Sequence, residues 1–212
     1  MSLFLGKIHY WLFNKVLWFE GLEDKVIEFS KAKIADVDNL ENQINLKYGK
    51  KLTNKNLEEI IDTSNIHGWL QSKIHSAEGR MAAWTSAILN DNNEYISELK
   101  KIYTEQGINA AKEAKVKLTN VTAEDIFNSM NDYILDGMPC DRVNEIITSN
   151  NEIVEWKRRI CVHKEIWENE GVPVEIFYDL RNQWISAFVN EMNKDYEYIE
   201  LDNDIKAIRK RS

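Results

Sequence analysis

Over residues 64–89, Ile66, Leu70, Ile74, Ala77, Met81, Trp84 and Ile88 recur at steps of four and three. That spacing is the apolar seam of an α-helix facing a partner helix, and it constrains the fold more than any other stretch. On a second side of the same helix, Gly68, Ser72, Ser76, Gly79, Ala83 and Ser86 form a stripe of small residues. Such a stripe lets another backbone come close, so the spacing predicts a central helix contacted on two sides.

Three-and-four spacing recurs along the chain far more often than the alternation of strands. Residues 4–20 read as a first helix, apolar around all but a narrow stripe of Lys7, Asn14, Lys15 and Gly21. Leu22 to Lys33 reads as a second helix and Val37 to Lys47 as a third. Tyr48-Gly49-Lys50-Lys51 is a stop, after which Thr53 or Asn54 caps a short turn over Leu57–Ile61. Tyr95 to Lys117 continues as a polar helix interrupted near Gly107. Thr122 with Asp125 makes a capping box for the next helix, ending at Asp136-Gly137. Pro139 then starts another that carries Cys140 in its first turn.

Ile153, Trp156, Ile160, His163 and Trp167 keep the helical spacing, and Pro173 opens a final helix through Met192. Residues 143–162 also read as a β-hairpin turning at Ser149-Asn150-Asn151, the alternative that makes the fold α+β. The expected architecture is all-α: one domain over residues 1–212, a bundle of six or seven helices.

With only 8 Gly and 2 Pro in 212 residues, a turn-rich all-β fold is disfavoured. At 43% hydrophobic and 29% charged residues, the chain is globular and not disordered. Lys+Arg 27 against Asp+Glu 35 gives a net charge of −8, and no Lys/Arg block is longer than Arg209-Lys210-Arg211, so nucleic acid is not expected as a partner. Two cysteines allow one bridge at most, and reduced thiols are expected. The apolar N-terminal stretch lacks a charged leader and a cleavage site. Lys7, His9, Asn14 and Lys15 break it well short of the roughly 20 apolar residues that cross a bilayer. A cytoplasmic protein without a transmembrane segment is the expectation.

His67, Gln71, His75 and Glu78 share one side of the central helix, within about 80° of arc. Imidazole and carboxylate are ordinary zinc, iron and manganese donors. His67 and His75 stand about 12 Å apart along a straight helix, too far to share an ion. His75 and Glu78, at i and i+3, are the closer pair, and the same stripe also reads as a polar flank. His9 and Glu20 fall in the apolar arc of the first helix, and His163 in the seam between Ile160 and Trp167, where a buried polar group needs a partner.

Cys140, at the start of a helix and near Arg142, is placed to be a thiolate nucleophile or ligand, with Asp136 and Asp141 opposing; a small cysteine at a tight turn is the simpler account. Five of the seven tryptophans fall on or beside seams and read as core filling. The chain has no phosphate loop, GxSxG, CxxC or HExxH motif.

An all-helical chain with His and Glu on core faces resembles the ferritin-like and DinB-like bundles. The resemblance implies the bundle fold. Ferritin-like di-metal sites use Glu-x-x-His pairs, whereas His75-x-x-Glu78 has the reversed order, and the paired histidines four apart of DinB-like sites are missing.

Three functions are expected in turn. The first is a pocket lined by His9, His67, His75, Glu78 and His163 that holds a divalent metal or a small molecule, with Cys140 at its edge. There a metal-activated water or the thiolate would react. The second is a non-catalytic interaction protein whose apolar arc over residues 4–19 packs in a homodimer or on a partner. The third lays the first helix on a membrane surface through Trp11, Trp18 and Lys7.

Overall fold

The computed structural model describes residues 5–53, 55–116, 118–202 and 204–211. Phe4, Asn54 and Lys117, used above to start a helix, to cap a turn and to end a helix, lie outside them. The described residues form eight α-helices and four strands. In chain order these are α1 (Lys7–Lys33), α2 (Val37–Tyr48), α3 (Leu57–Ile60), α4 (Ile66–Asp91), α5 (Ile96–Lys115) and α6 (Ala123–Asn131). Then follow β1 (Asn144–Ser149), β2 (Ile153–Arg158), α7 (Lys164–Glu168), α8 (Val174–Met192), β3 (Tyr196–Glu200) and β4 (Ile205–Lys210). No described helix is long and apolar enough to cross a membrane.

Where one helical domain is expected, the chain groups into two compact units. The first takes the residues up to Ile96 together with His163–Val174; the second takes Ser97–Val162 with Glu175–Ser212.

The first unit is built on α4, which packs against α1, α2 and α7. All seven seam residues from Ile66 to Ile88 are buried. The stripe of small residues admits the end of α2. A Cβ at Gly79 would overlap the ring of Tyr48, and the Ser76 hydroxyl donates to the Tyr48 carbonyl. Asn65 caps α4 by accepting the Gly68 amide at 3.1 Å. The two helices expected over 4–33 are one, because α1 runs through Gly21, and the absence of a side chain interrupts no backbone bond. Its apolar arc is turned inward: Leu12, Phe13, Val16 and Phe19 are buried, while Ile8 and Leu17 are exposed. The short α3 begins after Asn56, not Thr53.

In the second unit α5 also runs unbroken, across Gly107. Packing, not a helix break, explains that glycine, since a Cβ there would overlap the Trp184 carbonyl on α8. The capping box forms as expected: the Asp125 amide donates to Thr122 Oγ1 at 3.2 Å, and the Thr122 amide to Asp125 Oδ2 at 3.0 Å. That helix ends at Asn131, short of Asp136, and Pro139 opens only a three-residue 3-10 turn. Cys140 is exposed on that turn, which carries no helix macrodipole of consequence.

Of the helix expected over 153–167 only the last part forms, as α7 from Lys164. β1 and β2 make the antiparallel hairpin instead, and the four strands order as β1-β2-β4-β3, all neighbours antiparallel. Asn150 builds the turn, its side-chain oxygen accepting the Glu152 and Ile153 amides at 2.9 and 3.0 Å. The Asn151 carbonyl takes the Ala123 amide and the Tyr196 hydroxyl, tying α6 and β3 to it. The fold is therefore mostly helical with a small antiparallel sheet, the α+β alternative.

Candidate functional site

Strand alternation builds a concavity of the second unit that is lined by several charged side chains. Val154, Trp156 and Arg158 on β2 share one face of the sheet. Lys206 on β4 is the register partner of Trp156, and Asn144 on β1 is that of Arg158, so both stand on the same face. The apolar middle of this face packs under α6, with Phe127 and Trp156 rings 5.0 Å apart. Its charged end, Arg158 with Lys206, meets the α8 stripe of Tyr178, Arg181 and Ile185 at i, i+3 and i+7. Between them lies a cavity of about 30 Å³ that opens to solvent. It holds roughly two waters, or the oxygens of one small group.

Three cations surround one phenol. The Arg158 guanidinium stacks 3.9 Å from the Tyr178 ring, with Lys206 Nζ at 5.8 Å and Arg181 at 6.0 Å. Arg181 is committed, donating to Asp136 Oδ1 at 2.8 Å and to the Leu135 carbonyl at 2.5 Å. Asp136 also accepts from Asn144 Nδ2 at 2.7 Å. Lys206 donates to Glu200 at 2.9 Å. Arg158 gives Nη2 to Asp204 at 3.0 Å, but its Nη1 is buried without a hydrogen-bond partner. A buried donor left so is destabilising by about 1–3 kcal/mol, a cost that an acceptor reaching it would remove. Burial above all, then the contact with Cys161, pushes the Tyr178 phenol above its ordinary value, so it stays a neutral O–H. Its oxygen lies 3.1 Å from Cys161 Sγ, and Cys161 is exposed.

The residues that the sequence singled out fall elsewhere. His9 and His67 meet in the first unit with ring centroids 5.6 Å apart, and His9 Nδ1 accepts the Gly6 amide at 2.9 Å. Glu78 and His163 meet there too, Oε2 to Nδ1 at 3.0 Å, both buried. His75 is exposed, with its ring nitrogen 2.6 Å from Gln71 and not turned to Glu78. Among the described residues, no group of three or more His, Cys, Asp or Glu is arranged to hold a metal ion. Cys140 belongs to the second unit. Arg158, Tyr178, Arg181 and Lys206 were not picked out. The alternation Val154-Glu155-Trp156-Lys157-Arg158 was the available signal, and it becomes informative once the hairpin reading is taken. The chain matches no family model, no curated protein and no solved structure.

Proposed function

We propose that the second unit is a small-molecule binding module whose ligand presents an oxygen, carried on an anionic group, to Arg158. The observation that carries this reading is that Arg158, whose Nη1 is buried without a hydrogen-bond partner, lines a cavity that opens to solvent. Arg158, Arg181 and Lys206 gather here on a chain of net charge −8, so the cluster is a local feature and not a general basic surface. Arginine is the side chain suited to planar oxyanions, because its donors are fixed in a fork. This keeps the small-molecule expectation and moves it from the histidines to the sheet.

Thermal unfolding of the full chain in acetate, phosphate and sulfate, each against sodium chloride of equal ionic strength, tests the proposal. At least one oxyanion is expected to raise the melting temperature of the wild type and not that of Arg158→Met, with Arg158→Lys between them. No rise above the chloride control, or an undiminished rise in Arg158→Met, would overturn it.

A further inference from the structure

Given that reading, on which this inference rests, the charge and the lining of the cavity narrow the ligand. We infer that it is a monoanionic carboxylate attached to an apolar body, and not a phosphate.

Charge is the first ground. Each cation at the cavity already has a carboxylate of its own: Arg158 with Asp204, Arg181 with Asp136, and Lys206 with Glu200. The three pairs sum to zero, so a dianion would enter a small cavity with no surplus positive charge to meet it. Asp204 and Glu200 are exposed, at 60% and 52%, so water screens them and part of each cation's field stays available. That remainder suits one negative charge.

Donor capacity is the second ground. Arg158 Nη1, buried without a hydrogen-bond partner, carries two N–H bonds, and Lys206 Nζ has donors beyond the one given to Glu200. Two oxygens in a plane match this set. The Asn131 and Asn144 amides of the lining already donate to the Phe127 carbonyl and to Asp136, and Phe127, Met130 and Ile185 carry no side-chain donors, so the third anionic oxygen of a phosphate would find few partners.

The third ground is what surrounds the head group. The cavity admits the oxygens of a carboxylate but no ring, so the body of the ligand must lie at the mouth. Ile134, a part-exposed lining residue, offers it an aliphatic side.

Isothermal titration of the full-length wild type with benzoate, acetate and inorganic phosphate, at constant ionic strength near neutral pH, tests this. Benzoate is expected to bind at least tenfold more tightly than acetate, and both more tightly than phosphate. Arg158→Met and Lys206→Met, each checked for an unchanged circular dichroism spectrum, are expected to lose benzoate binding at least tenfold. Phosphate binding as tightly as the carboxylates, or more so, overturns the carboxylate assignment and leaves the binding module standing. Acetate equal to benzoate overturns the apolar body alone. Binding by none of the three overturns the module and the inference together, as does benzoate binding that both variants retain.

Discussion

Arg80 holds its Nε 2.9 Å and 3.0 Å from the two carboxylate oxygens of Glu23, a residue 57 positions away, and both side chains are 1% exposed. The same guanidinium gives Nη2 to Glu20 at 2.6 Å and Nη1 to Ser76 Oγ and the Gly49 carbonyl, at 2.7 and 3.2 Å. Glu20 also accepts the Leu52 amide, at 3.0 and 3.1 Å. One cation thus pins α1, α4 and the loop after α2.

Arg80→Met would leave two carboxylates buried without their cation. Removing one partner of a buried ion pair is typically destabilising by about 3–5 kcal/mol. The unfolding free energy of the variant in urea is expected to fall by that much. A fall under about 1 kcal/mol, the range of exposed pairs, would mean that the cluster is open to water.

Burial raises Glu20 and Glu23 above the ordinary carboxylate value of 4.5, and it outweighs the lowering by Arg80. An acid raised on folding binds its proton more tightly in the native state. Its contribution to stability is fully present below the unfolded value and lost as pH rises through the folded one. Stability from this pair therefore declines upward from about 4.5. Glu23→Gln leaves one carboxylate to one guanidinium and is expected to flatten that decline. Melting temperatures of both proteins between about pH 4 and about pH 8 would show it; parallel profiles would refute the assignment.

Two helical glycines should answer to alanine in opposite senses. No atom lies within 4 Å of a Cβ at Gly21, so Gly21→Ala should stabilise by about 0.5–1 kcal/mol through helix propensity. At Gly107 the new carbon would meet the Trp184 carbonyl, which cannot rotate away, and Gly107→Ala should destabilise by about 1–3 kcal/mol. Chemical denaturation of the two variants decides it, and changes of the same sign would contradict the packing described.

Loss of the imidazole in His163→Ala leaves the Glu78 carboxylate buried beside a void. A deficit of about 1–3 kcal/mol is expected, part of it recovered by His163→Asn, which retains a donor. Equal unfolding midpoints for the two variants would show that volume, not the hydrogen bond, matters at that position.

What the sequence disclosed was helical. The seam of α4 and the box at Thr122 were legible because each depends on spacing within one element. Gly21 and Gly107 misled, since a glycine that breaks a helix and one that permits close packing look alike until the neighbour is known. The same holds at Trp156, whose three- and four-residue spacing to Ile153 and Ile160 competed with alternation along 154–158. Pairing with β4, some fifty residues on, settled it, and long-range pairing leaves little local trace. His163 was anticipated as a buried polar residue needing a partner and Glu78 as a candidate ligand on a polar flank, but not as partners of each other. Arg80 was missed altogether, because only tertiary structure shows that two glutamates await it.

Neither compact unit is continuous along the chain. His163–Val174, which completes the first, is embedded between the two halves of the second, and it brings the fully buried Trp167 and His163. A ribosome that has released everything up to α4 has therefore not yet supplied the last piece of that core. The nascent first unit must wait for most of the chain, with the site of α7 uncovered. For the same reason no single truncation separates the two: any cut that frees one core removes a segment from the other.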